Sequence, residues 1–592
     1  MGKTFVDPLD MPFSRCGAYI CLANKNGGSP LPGEAELWIS TARQRPNDRN
    51  NGNLFGDNHF RQIRAEIIKD GAAQPAELET TPYELTLASK AGSVRFCIGD
   101  PKYMVCRGED GAALRLTHGA SGQMLGGTPF FDLLNGSFKS NFGNYFMLFI
   151  PRRGALRHGE NGTIELHPDE DGVLDIVMEE SLVDPRPRES YMSYGECVSA
   201  VTREFDAFAA GVAPALAEKY AARGRQALWT LWGLTSVPDG ETAYRRRMIR
   251  MIRSSFEAAF SWQHGMHAVF LSAHNLELAW DLLLSCFDTQ DSTGRIADSL
   301  TYRGPGETMK PPVQGLAFLW LYEHYDLSAL PREELAYLWN GLERWTRFHL
   351  EYRDLDGDGI IENHSAGETG WEAASYFNLG FPLASPDINA YLALQMEALS
   401  VLGKMIGKDA EVCDRWARMS EATVQKIIET FWSERDGWAA LNTVTRELGG
   451  ASSAVPFCTL VLGKRLPPEI IDKTVAKLFD APGFNTPFGI ASENQNSPHF
   501  TNNWCGGSID TPLEALLIIG LENCGLRDKA KIIAHEYLET LLRNRLMHIH
   551  DSFTGAPLDG DIHFFTELTL FNSGWTSGCF VFLADRYGRE PL

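Results

Sequence analysis

GETGWEAASYF, residues Gly367 to Phe377, decides how this chain reads, because it sets a tryptophan directly before a glutamate in a link between two long apolar runs. Immediately upstream lies the acidic, glycine-spaced run DLDGDGIIEN, Asp354 to Asn363. Beyond it on either side stand REELAYLWNGLERWTRFHLEY and INAYLALQMEALSVLGKMIG, both with apolar residues at the 3.6 period of a helix. The same helical period recurs in ELAWDLLLSCF, PVQGLAFLWLYEHY, EVCDRWARMSEATVQKIIETFW, PEIIDKTVAKLFD, TPLEALLIIGLENCG, DKAKIIAHEYLETLLRN and SGWTSGCFVFLADRYG. RRRMIRMIRSSFEAAFSW, from Arg245, is read as the first of the series, with its arginines on a solvated helix face.

About a dozen helices joined by alternating short and long links predict paired helices that close on themselves, an (α/α)6 toroid over residues 240–592. Before them the period is two. AYICLAN, YELTLAS, SVRFCIG, YMVCRG, YFMLFIP and GVLDIVMEESLV alternate between Gly, Asn, Asp and Pro punctuation, which predicts an antiparallel β-sandwich-like domain over 1–204. Residues 205–239 read as a helical linker, and the fold class is α+β multidomain.

The chain has 592 residues, 44% of them hydrophobic, enough for more than one core. With 54 basic against 76 acidic residues, a formal net charge of −22 excludes a nucleic-acid partner, whose phosphates reward clustered Lys and Arg. No window of eighteen apolar residues occurs and the first residues lack an apolar signal core, so the expectation is a cytoplasmic protein without a membrane partner. Eleven cysteines without a CxxC pair fit reduced thiols in a core. Oligomeric state is not readable. Phosphate-cradling and dinucleotide motifs are absent, and no organic cofactor is expected.

The long links carry the chemistry. QDSTGRIADS (from Gln290), KPPVQG (from Lys310), GETGWE, SPDINAYLALQ (from Ser385), TPFGIASENQNSPHF (from Thr486), NWCGGSIDTPLEALLIIGL (from Asn503) and FNSGWTSG (from Phe571) stand in one order. Together they resemble the (α/α)6 glycosidases that include trehalase, processing α-glucosidase and mannosylglycerate hydrolase. The resemblance implies a small carbohydrate substrate and places the general acid, an aspartate in that family, at Glu372, with Trp371 shaping the sugar subsite. Acetal cleavage needs a carboxylic acid on the leaving oxygen and a group on the other side to activate water. The family's base register falls on His548 in HIHDSFTG, so the base is left open between Glu567, Asp551 and His548, in that order. Trp262, Gln263, His264, Lys310, Gln314, Trp504, Asp510 and Trp575 are the implied sugar contacts. Two of these depart from the family: Gln263 follows Trp262 where relatives have aspartate, and Asp510 replaces an aromatic residue.

The expected activity is inverting exo-hydrolysis of a small α-linked glycoside. The alternatives are inverting phosphorolysis, in which phosphate held by His548, His550 and Arg303 attacks in place of water, and a lyase or epimerase on the same scaffold. Asp354, Asp356 and Asp358 at alternate positions, with Ile360 and Glu362, form a candidate set for a structural Ca2+, Gly359 supplying the sharp turn. Ser365 stands where an EF-hand has its bidentate glutamate, so the loop is not a sensor. A His548/His550/Asp551 transition-metal site is the weaker metal reading.

Overall fold

In the computed structural model, described for residues 4–8, 11–24, 36–41, 62–119, 128–141, 146–183, 186–211, 216–251, 258–302, 304–306, 308–479, 483–558 and 572–590, the alternating runs of the first third are strands. They form two antiparallel sheets. One runs in the order Ile20–Ala23, Leu37–Thr41, Ile63–Lys69, Ala113–His118, Ile164–His167, Ala155–His158, with Ala72–Ala73 attached to the third. The other runs Thr128–Asp132, Phe138–Asn141, Phe146–Arg153, Leu174–Ser181, Tyr103–Glu109, Gly92–Asp100, Leu85–Ser89, Ala76–Thr80. Alternation sets the faces: Leu114, Leu116 and His118 are buried while Ala113, Arg115 and Thr117 are half-buried.

Helix α1, Tyr194–Ala210, starts ahead of the expected boundary at residue 204. Its signal is a capping box, in which the Ser193 side chain accepts from the Glu196 amide and the Glu196 side chain accepts from that of Ser193. Cys197, Val201, Phe205 and Ala209 then form one buried stripe at four-residue spacing. The stripe lies on strand Gly92–Asp100, where Gly99 leaves room for Cys197; any Cβ at 99 would collide with its sulfur. Helix α2, Glu218–Leu234, occupies about half of the segment read as a linker and is largely buried. Its Trp229 donates to the Pro82 carbonyl (2.9 Å) and its Trp232 to Glu204 (3.1 Å), which ties strands to helices.

The helical part continues with α3 Ser261–Leu271, α4 Leu276–Ser285, α5 Gln314–His324, α6 Arg332–Tyr352, α7 Pro386–Ile406, α8 Ala410–Phe431, a 3-10 segment Val455–Arg465, α9 Pro468–Phe479, α10 Thr511–Asn523, α11 Arg527–Arg543 and α12 Gly574–Tyr587. Helices α3, α5, α7, the 3-10 segment, α10 and α12 each pack on the next, and α12 packs back on α3. Against that circuit lie α4 on α3, α6 and α8 on α7, α9 on the 3-10 segment, α11 on α10 and α2 on α12. The circuit members are apolar on nearly every side, as helices covered all round must be: every residue of α3 is buried. The amphipathic α8, in contrast, buries only one stripe, Cys413, Trp416, Ser420, Thr423, Val424, Ile427 and Phe431.

The basic run departs from its helical reading. Met248–Ile249 is a short strand paired with Thr235–Ser236, and α3 begins only at Ser261. Ion pairs win over period there: Arg246 meets Asp288 (3.4 Å), Arg247 meets Asp281 (2.6 Å) and Glu277 (2.7 Å), and fully buried Arg250 donates to the carbonyls of Leu234 and Ala18 (3.2 Å each). All eleven cysteines are free thiols. Among the described residues no helix is long and apolar enough to cross a membrane.

Candidate active site

The links singled out in the sequence each precede or open a helix of the circuit. Trp262 is the second residue of α3, Lys310 stands before α5, Glu372 before α7, Trp504 and Asp510 before α10, and Trp575 is the second residue of α12. Their side chains therefore converge, although up to several hundred residues separate them.

An aromatic chain forms the frame. Trp371, fully buried, meets Trp262 edge-on (5.0 Å, 79°), and Trp262 meets Trp575 edge-on (5.6 Å, 83°). Trp575 lies 6.4 Å from the His548 ring, which stacks on Trp504 (4.8 Å, 26°). The chain closes on the next residue after Trp371, because the Trp504 indole N–H donates to Glu372 Oε2 (3.2 Å). Gly370, at φ +76°, is what lets the Trp371 backbone pass under Trp262, since any Cβ there would enter the indole ring.

Glu372 keeps a third of its side-chain surface exposed (33%). Its other oxygen, Oε1, accepts from Lys310 Nζ at 2.6 Å, and the same ammonium donates to the Gly367 carbonyl (2.6 Å). Lys310 lies 4.0 Å from Asp298 as well. Burial works against its charge, but Glu372 and then Asp298 hold it above the usual lysine range. Both partners of Glu372 are obligate donors, so in this state both of its oxygens act as acceptors.

The groups beyond Trp504 differ. Burial, with His550 beside it, pushes His548 down to about 3, and burial pushes His550 down to about 4, so both rings are neutral at neutral pH. His548 Nδ1 has no protein partner, and the His550 ring lies against the Arg545 backbone. Asp551 is engaged by its own turn: Oδ1 accepts from the amides of Phe553 (2.7 Å) and Thr554 (2.8 Å), and Oδ2 from Asn502 (2.8 Å). Burial opposes ionisation, yet those donors hold Asp551 below the usual carboxylate range. Glu567 and Arg303 lie outside the described residues.

The remaining implied contacts divide. Gln263 is fully buried with neither amide atom paired, and Gln314 uses its NH2 on the Ser261 carbonyl (3.3 Å) while its oxygen is unpaired. His264 has both nitrogens engaged, by Ser285 Oγ (2.9 Å) and the Ile249 backbone (3.0 Å), which leaves neither for a sugar and makes it a packing residue. Asp510 accepts from Ser508 Oγ (3.0 Å) and the Cys505 amide (3.1 Å), and burial pushes it up to about 7. Sequence reasoning passes over Asp298 and Glu493, although both stand inside quoted links. Glu493 is fully buried, accepts from Ser375 Oγ (2.7 Å) and leaves Oε1 unpaired.

The acidic loop lies just upstream of this centre. Asp354, Asp356 and Asp358 bring one carboxylate oxygen each within 4.8 Å of the others. Asp354 accepts from the Gly359 amide (2.9 Å) and Asp358 from that of Ile360 (2.8 Å). Glu362, 1% exposed, accepts from the Leu355 amide (3.2 Å) with Oε1 and leaves Oε2 buried and unpaired; Asp354 Oδ1 is likewise unpaired. Burial, then the charges of Asp356, Asp354 and Asp358, push Glu362 up to about 7. A hard divalent cation fits such a set of anionic oxygens. Asn389 of α7 clamps the loop's far end through the Ile361 amide (2.8 Å) and carbonyl (2.9 Å), and Glu362–Asn363 pairs with Leu383–Ala384 on the other side of Glu372.

Comparison with known proteins gives a family model described as Mannosylglycerate hydrolase MGH1-like glycoside hydrolase domain, matching residues 257–566. A trehalase from Oryctolagus cuniculus is 24% identical over 251 residues, 38% of this chain and 42% of that protein. The chain thus spans about two fifths of the length of the curated trehalases it matches. A bacterial glucoamylase crystallised with acarbose shares the fold over 99% of this chain and 94% of its own, at TM-score 0.59 and 10% identity. A mannosylglycerate hydrolase from Thermus thermophilus aligns over 55% of this chain and 93% of its own, at TM-score 0.48 and 16% identity.

Proposed function

The chain belongs to the mannosylglycerate hydrolase MGH1-like glycoside hydrolases, and from that premise we propose that it is an inverting exo-glycosidase acting on a small α-linked glycoside, with Glu372 as the proton donor to the departing oxygen. The circuit of six apolar helical segments with partners outside it supports reading the helical part as an (α/α)6 toroid, with the site at the end where those segments begin.

The observation that carries the proposal is the placement of Glu372: a half-buried carboxylate, held on one oxygen by Lys310 and on the other by Trp504, facing an aromatic frame suited to a sugar's apolar faces. Glu372 must be protonated to act. Its proton enters when a ligand displaces a donor, and transfer to the leaving oxygen returns the carboxylate to Lys310. A water on the far side of the sugar then completes inversion, activated by Glu567; Asp551 is occupied by its turn, and His548 is a neutral acceptor of second choice.

Glu372→Gln tests this. Turnover of an α-linked disaccharide should fall by about 10²–10⁴, and proton NMR of the first product should show the inverted anomer. Turnover like the wild type's in that variant ends the proposal.

One observation favours a second reading. Of the candidate bases among the described residues, Asp551 is taken up by its own turn, whereas His548 presents an unpaired ring nitrogen. Phosphate in place of water needs no base, so sugar 1-phosphate formation in phosphate buffer separates phosphorolysis from hydrolysis.

We assign the acidic loop to a structural Ca2+, held by Asp354, Asp356 and Asp358, with Glu362 and the Ile360 backbone as further ligands from the same loop. It supplies only positive charge, which satisfies the buried oxygens and stiffens the segment leading to Glu372.

A further inference from the structure

Lys310 does not serve Glu372 alone. Asp298, 6% exposed, is fixed by its own backbone: its amide donates to the Thr308 carbonyl (2.7 Å), and its carbonyl accepts from the Ser261 amide (2.7 Å). Its Oδ2 lies 4.0 Å from Lys310 Nζ and 3.4 Å from Thr308 Oγ1, and its Oδ1 is buried without a protein partner. Two carboxylates, Asp298 and Glu372, thus flank one ammonium whose side chain is 12% exposed. With all three ionised the cluster carries one net negative charge in a poorly solvated place, and a single added proton neutralises it.

We propose that Asp298 is a positioning residue that acts through Lys310: it offers the ammonium an alternative partner whenever Glu372 is neutral, and so sets how readily Glu372 holds the proton it donates. The inference rests on Glu372 being the proton donor. The proton balance is simple. One proton from solvent enters the cluster; while it sits on Glu372, Lys310 pairs with Asp298; when Glu372 gives it to the leaving oxygen, Lys310 returns to Glu372. Burial pushes Asp298 up to about 6, against the pull of Lys310 and with the push of Glu372, so it is above that pH that its carboxylate is charged and open to the ammonium.

The other groups facing the cluster do not compete for that proton. Burial holds the Cys505 thiol and the Tyr376 phenol far above their ordinary values, so both stay neutral, and Trp504 contributes only an N–H. Asp510 faces Cys505 rather than Lys310. Arg353 is paired with Glu368 (2.8 Å) and reaches only the Met309 sulfur (4.0 Å) on this side.

The experiment is a pH profile of kcat/KM on the α-linked disaccharide that the wild type cleaves fastest. Asp298→Asn leaves Lys310 to Glu372 alone, so the alkaline limb should move down by about one pH unit, a roughly tenfold loss on that limb. Lys310→Gln should move it up. Asp298→Glu, which restores the charge, should bring the limb back toward the wild type's position. A uniform drop in activity for Asp298→Asn with the limb unmoved would overturn the inference, since a merely structural aspartate gives that result. Glu372→Gln run alongside separates the two failures: if it is inactive while the limb stays fixed, only the role of Asp298 falls; if it stays active, the donor assignment falls first.

Discussion

Carboxylates on the sheets and carboxylates at the centre of the helices live under opposite rules. In the sheets they are paired with arginine near the surface. Glu165 is held by Arg115 (2.8 Å) and Asp169 by Arg153 (2.6 Å), and those bonds keep both acids below the usual carboxylate range. At the centre of the helices Asp387, Asp510, Glu493 and Glu514 are fully buried or nearly so, with no cation within ion-pair distance among the described residues. Burial there pushes Asp387 up to about 6 and Asp510 up to about 7, and Glu514 far higher. The strand half uses charge to hold its surface, while the helical half keeps acids that are cheapest when neutral. Proton-transfer chemistry needs the second kind.

The contrast is broken most severely at Lys310, whose ammonium stands between two further acids of the helical half, Asp298 and Glu372. Lys310→Met leaves Asp298 and Glu372 facing each other, and urea unfolding at pH 8 should show a loss of about 3–5 kcal/mol. Supplying a cation should do the reverse at the acidic loop. Ca2+ at about 100 times its dissociation constant should add roughly 2.7 kcal/mol of stability, and Asp358→Asn should abolish the thermal shift.

A smaller effect tests the neutral acids themselves. A group raised in the fold stabilises fully below its unfolded value, and that contribution is lost as pH rises through the folded value. The helical half should therefore weaken as pH rises from about 4, the unfolded aspartate value, and level off past the folded values of about 6 for Asp387 and about 7 for Asp510. Asp510→Asn should flatten that fall by at least about 1 kcal/mol, read from unfolding midpoints across the range. The smallest expected effect is in the sheets. Arg115→Gln should cost under about 1 kcal/mol, and only above the unfolded glutamate value, since stability from a depressed acid disappears as pH falls through its folded value.

Much of the architecture is legible because it is written in local periods. Strand alternation and helical stripes depend on neighbours a few residues away, and they place both sheets and most of the helical runs. The capping box at Ser193 is equally local, and it moves the boundary between strands and helices ahead of residue 204. The basic run misleads for a different reason: its arginines answer to Asp281, Asp288 and the carbonyl of Ala18, partners that no local pattern displays. The site divides the same way. The link segments and their aromatic residues are identifiable, and the structure gathers Trp262, Trp371, Trp504 and Trp575 around Glu372. Lys310 reads in sequence as a sugar contact, yet its hydrogen bond to Glu372 crosses 62 positions. Asp551 reads as a candidate base, yet its oxygens close a turn, a role visible only once the amides of Phe553 and Thr554 are in place.

The unbroken contact of Trp371 with Trp262 and of Trp262 with Trp575, at 5.0 and 5.6 Å, has an optical consequence. Indoles held that close in fixed, nearly perpendicular orientations share their excited states. Their near-ultraviolet circular dichroism should be a coupled signal, and a guest that shifts any one ring would perturb the whole band. The protein thereby carries its own label-free reporter of occupancy.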